Sequence, residues 1–153
     1  MRHPALKSSL FRSHRDHLRE LLPPRSIAIL HANDVLPTNA DGTLPLVPNS
    51  DLYYLSGIEQ EESVLVLAPD AADEASREIL FVRESSDLLR TWEGHKLSRE
   101  EARELSGIRT VRWTSSLRDS LHSLLCASDA VYLNTNEHRR ASCEVPSRDI
   151  RFI

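Results

Sequence analysis

The chain has 153 residues, of which 40% are hydrophobic and 27% charged, enough to bury one core and too ordered a composition for wholesale disorder. Nineteen Lys and Arg against 23 Asp and Glu leave a net charge of −4, which gives no electrostatic basis for nucleic acid or an anionic membrane as partner. Two cysteines, Cys126 and Cys143, form no CxxC pair and suit a reducing, cytoplasmic setting; no apolar run is long enough to span a membrane or to serve as the core of a signal peptide.

In chain order, residues 4–22 place Leu6, Leu10, Phe11, Leu18, Leu21 and Leu22 at helical spacing, and Pro23-Pro24 stops the helix. Ser26–Ala32 is an apolar, β-branched run expected as a buried strand. Asn33–Ser50 is a long polar loop with Pro37, Pro45 and Pro48, and loops of that length in a compact domain are commonly functional. Strands are expected at Asp51–Leu55, Ser63–Ala68 and Glu78–Arg83, the last two joined as a hairpin through Pro69-Asp70. The first of these would turn Tyr53 and Tyr54 to opposite faces. Ser98 with Glu101 has the form of a capping box, opening a helix that Gly107 closes. Arg109–Trp113 reads as a strand, Leu117, Leu121, Leu124 and Leu125 as one face of a second long helix, and Asp129–Leu133 as the last strand. Cys126, on the final turn of that helix, is expected to be a small buried hydrophobe. Together these elements predict an α/β fold with a mixed sheet.

Catalytic chemistry has no foothold in the pattern. The strand interiors carry no carboxylate, and HExxH, GxSxG and glycine-rich phosphate loops are all absent from the sequence. His14 and His17 lie three apart on the first helix, where a solvated flank is the better reading than a two-ligand metal site. Two stretches stand out. In Asn49-Ser50-Asp51-Leu-Tyr-Tyr54-Leu-Ser-Gly57, polar side chains able to bond a turn backbone lead into aromatic residues. In Arg90-Thr-Trp92-Glu-Gly94-His-Lys96, a large ring sits in a polar connection, either folded onto the core or presented as a wall to a peptide or a partner subunit.

PNSDLYYLSGIEQEESVLVLAPD, then REILFVRE, then TWEGHKLSREEARELSGI, in this order and separation, closely resembles the N-terminal domain of the aminopeptidase P family, whose relatives include creatinase and prolidase. The resemblance implies a sheet of about six strands with helices on both faces, ribonuclease H-like in topology. It assigns residues 1–134 to that domain and 135–153 to a linker toward a C-terminal "pita-bread" catalytic domain absent from this chain. That domain would hold two divalent metals, typically manganese, on Asp, His and Glu ligands and cleave the bond before a penultimate proline. This chain is thereby expected to have no catalytic residue, metal ligand or cofactor of its own.

By the same resemblance, partners are the chain's own catalytic domain, proline-containing peptides acting through the parent, and further copies in a dimer or tetramer. Asp41 and Trp92 match residues that reach the active-site mouth of another subunit, and Asn49, Ser50, Asp51, Tyr54, Gly57 and Gly94 match the structural motif. The sequence departs from the family pattern at Val47 and Pro48, where relatives often have Arg-Gln, and at His95-Lys96. The alternative is the N-terminal domain of a prolidase- or creatinase-like relative, or of a pseudo-enzyme that has lost peptidase chemistry, acting as a protein-interaction module. A nuclease is excluded, because it needs clustered carboxylates on the strands and a fold alone does not confer function.

Overall fold

The computed structural model describes residues 6–39, 42–86 and 91–134. The elements run α1 (Ser8–Leu21), β1 (Ser26–His31), α2 (Ser50–Ser56), β2 (Val64–Leu67), β3 (Glu78–Val82), α3 (Arg99–Ser106), β4 (Thr110–Trp113), α4 (Leu117–Cys126) and β5 (Ala130–Leu133). The strands form one mixed sheet in the order β4-β3-β2-β1-β5. β2 and β3 pair antiparallel as the expected hairpin, with Leu65 opposite Leu80, and β1 pairs antiparallel with β2, with Leu30 opposite Leu65, while β4 joins β3 and β5 joins β1 in parallel.

The apolar runs of β1, β2 and β3 are continuous because both faces of the central strands are covered. Strand alternation divides them between two cores. Leu30, Leu65, Leu67, Leu80 and Val82 pack with Leu52 and Leu55 of α2, Ala102 of α3 and Leu18 of α1. Ile27, Ile29, Val64, Val66, Ile79 and Phe81 face the other way, under Leu117, Leu121 and Leu124 of α4. Helices therefore flank both faces, as expected.

The expected strand at 51–55 is a helix, and among the described residues the sheet has five strands where about six were expected. Asn49 Oδ1 accepts the N–H groups of Asp51 and Leu52, and Asp51 adds a carboxylate to the first turn. Gly57, at φ 72°, closes the helix by donating its N–H to the Tyr53 carbonyl. The Asn-Ser-Asp to Gly motif is thus a complete seven-residue helix with both caps. Its tyrosines do not face opposite sides of a sheet. Tyr53 meets Phe11 edge-on at 6.1 Å, and Tyr54 stacks on His14 at 3.8 Å.

The capping box forms as expected: Ser98 Oγ accepts from Glu101 N, Glu101 Oε2 accepts from Ser98 N, and Gly107 ends α3 at φ 73°. Cys126 is exposed, contrary to the reading as a buried hydrophobe, since it lies off the leucine face of α4. At the end of β5, the Asn134 side-chain amide both accepts from His31 N and donates to His31 O, at 3.0 Å each, continuing the pairing with β1 beyond Leu133.

One buried charge ties three elements together. Arg15 of α1 is fully buried, pairs through Nε with Glu78 at the start of β3, and donates Nη1 to the carbonyl of Leu55 at 2.7 Å. Arg19 also reaches Glu78, at 2.6 Å. Burial pulls the Arg15 guanidinium below its ordinary range, only partly offset by Glu78.

Candidate functional site

The long loop after β1 is laced at both ends. Asn33 Nδ2 donates to Val47 O at 3.0 Å, and Asn49 Nδ2 donates to Asn33 Oδ1 at 3.1 Å, so the residue that caps α2 also ties the loop down. Within it, Pro37 and Thr43 pair as an antiparallel bridge, with Thr38 N bonded to Gly42 O and Leu44 N to Leu36 O, each at 2.8 Å. The loop is a pinned arm that leaves Leu36, Leu44 and Val47 exposed.

Between this arm, the segment before β2, the end of β3 and the Trp-Glu-Gly element lies an open cavity of about 780 Å³. Its apolar walls are Val35, Leu44, Pro45, Leu46 and Trp92. Its polar lining sets four carboxylates, Asp34, Glu61, Glu62 and Glu93, against Arg83 and Lys96. The charges are wired together. Arg83 grips Glu93 with two nitrogens, at 2.8 and 3.1 Å, and donates to Glu61 at 3.2 Å. Lys96 pairs with Glu61 and lies 3.5 Å from Glu93. Burial alone would push the Glu61 carboxyl up, but hydrogen bonds from Lys96, its own backbone and Arg83 hold it below the ordinary glutamate value. Burial would likewise lower the Arg83 guanidinium, and the surrounding carboxylates raise it instead. Glu62, at φ 55°, is held in the left-handed region that non-glycine residues rarely occupy.

Of the residues matched to the active-site mouth, Trp92 is 82% exposed and lines this cavity, so it is a wall and not a lid on the core. Asp41 lies outside the described residues. Asn49, Ser50, Asp51, Tyr54 and Gly57 sit together on α2 and its caps and do not line the cavity. Gly94 follows Trp92 at φ 82°, and a Cβ there would meet nothing within 4 Å, so the glycine serves the backbone conformation alone. His14 is not merely solvated. It stacks on Tyr54 and donates Nδ1–H to the Tyr54 carbonyl at 2.8 Å, whereas His17 stays exposed near Glu20. Sequence reasoning misses the Glu61–Arg83–Glu93–Lys96 network. Its one local signal is the acidic run Glu59-Gln-Glu-Glu62 running straight into an apolar strand.

A second charged cleft, of about 770 Å³, lies between α1, the β2–β3 turn and the end of α3, where Arg12, Arg77 and Arg109 face Asp73 and Glu74. Among the described residues, no group of three or more His, Cys, Asp or Glu could hold a metal ion, and no helix is long and apolar enough to cross a membrane.

Known proteins share both the sequence pattern and the fold. The sequence profile of the family "Aminopeptidase P, N-terminal domain" matches residues 11–132. The Xaa-Pro aminopeptidase of Escherichia coli is 31% identical over 137 residues, covering 90% of this chain and 31% of that protein. Intermediate cleaving peptidase 55 of Saccharomyces cerevisiae is 26% identical over 133 residues, 86% of this chain and 26% of that protein. The structure of the aminopeptidase PepP of Pseudomonas aeruginosa superposes with a TM-score of 0.77 at 26% identity, over 89% of this chain and 30% of that one. The chain thus spans about a third or less of the length of these relatives.

Proposed function

Because this chain belongs to the aminopeptidase P N-terminal domain family, we propose that it is the non-catalytic domain of a Xaa-Pro metalloaminopeptidase, shaping substrate access and contributing to oligomer assembly. In this reading residues 1–134 are the domain and 135–153 a linker to a catalytic domain that removes the N-terminal residue ahead of proline. The two divalent metals, manganese by resemblance, belong to that catalytic domain, and the described residues of this chain offer no ligand set for them.

The observation that carries the access role is the placement of Trp92. An aromatic ring 82% exposed at the wall of a cavity, beside Pro45, Leu44 and Leu46, is a surface held ready for contact with a peptide or a second subunit. Asp41 is proposed to act at the same mouth. The exposed, unpaired Cys126 suits a reducing compartment, and the cytoplasm is the proposed location.

The direct test is to incubate the purified 153-residue chain with an Xaa-Pro peptide and manganese. The expected result is no release of the N-terminal residue, and turnover by the chain alone would overturn the reading.

A further inference from the structure

A ring as exposed as that of Trp92 has little packing to fix its direction, so its orientation depends on the backbone beside it. The next residue, Glu93, belongs to the charge network of the cavity. Glu93 receives a two-nitrogen grip from Arg83 and lies beside Lys96. Both cations also hold Glu61, whose side chain is only 12% exposed and sits in the segment leading into β2. One residue further on, Leu97 N donates to Gln60 Oε1 at 2.7 Å, giving the Trp-Glu-Gly element a second tie to that segment. Gly94 supplies the left-handed turn between the two ties.

We propose that Arg83, backed by Lys96, is a positioning residue that holds Trp92 at the cavity wall by clamping Glu93 against Glu61. The planar guanidinium suits this task, because one fork grips Glu93 with two parallel bonds while still reaching Glu61; an ammonium is a point charge that cannot fix a plane. The partly dry setting strengthens the pairing relative to a solvated surface pair. The proposal rests on the reading of Trp92 as a contact wall, and its test is independent of that reading.

Trp92 and Trp113 are the two tryptophans of the chain, so a Trp113→Phe background isolates the emission of Trp92. Time-resolved anisotropy then reports its motion on the nanosecond scale. Arg83→Met is expected to increase the amplitude of fast depolarisation about twofold, with Arg83→Lys intermediate. Glu93→Gln should move it in the same direction while leaving the Arg83–Glu61 and Lys96–Glu61 pairs intact, which keeps the test valid if Arg83→Met folds poorly. Unchanged depolarisation in both Arg83→Met and Glu93→Gln would overturn the proposal. A clamped Trp92 whose removal leaves the parent enzyme unaffected would instead refute the access role and leave the clamp standing.

Discussion

Gly57→Ala is expected to destabilise the chain by about 2–4 kcal/mol, lowering the urea midpoint by about 1–2 M. Two separate penalties combine. At φ 72° the backbone is in the left-handed region, where a Cβ costs about 1 kcal/mol. The added Cβ would also stand 2.4 Å from Phe11 Cε2 and 2.6 Å from Phe11 Cζ. The Phe11 ring is 5% exposed and packed edge-on against Tyr53, so it cannot swing clear without disturbing the contact between α1 and α2. Gly94→Ala is the control. Its φ is 82°, but a Cβ there enters open space, so only the conformational cost of about 1 kcal/mol applies. Equal losses at the two glycines would show that the Phe11 contact is not what Gly57 is for.

Glu78→Ala is expected to cost about 3–5 kcal/mol, the range found when one partner of a buried ion pair is removed. The damage should be asymmetric. Arg15 is fully buried, its Nη2 has no partner among the described residues, and without Glu78 its charge is left inside the protein with only the Leu55 carbonyl. Arg15→Met is the milder change, at about 1–2 kcal/mol. Glu78 keeps a side-chain exposure of 20% and retains Arg19, while methionine refills the space with an apolar chain of similar length. The double variant Arg15→Met with Glu78→Ala should therefore be more stable than Glu78→Ala alone, a non-additivity that urea unfolding resolves. If Glu78→Ala costs less than Arg15→Met, the buried charge is not what governs this junction.

How much of the fold is legible in the sequence depends on how local each signal is. The β1, β2 and β3 runs are apolar throughout because two cores cover them, and such runs announce buried strands directly. The capping box at Ser98 and the stop at Gly107 are read from side chains three residues apart and from one glycine. Segment 51–55 reads wrongly as a strand because Tyr-Tyr between leucines favours one, and seven residues are too few for helical periodicity to argue otherwise. The information lies in the caps, Asn49 ahead of the helix and Gly57 just past it. Cys126 follows Leu124 and Leu125 so closely that its place off the buried face is evident only once α4 is laid on the sheet.

The cavity network is illegible for a different reason. Glu61, Arg83, Glu93 and Lys96 come from three stretches that the fold brings together, and no spacing in the sequence links them. Trp92 can be singled out for its unusual setting, but its neighbours in sequence do not say whether the ring packs inward or, as in the structure, stands 82% exposed.

The central claim, that this domain shapes access through the wall Trp92 provides, is tested most directly in the full-length parent. Trp92→Ala there should lower kcat/KM for an Xaa-Pro peptide about tenfold or loosen the oligomer, with metal content unchanged. Peptide kinetics and oligomeric state both identical to those of the unmodified parent would contradict it.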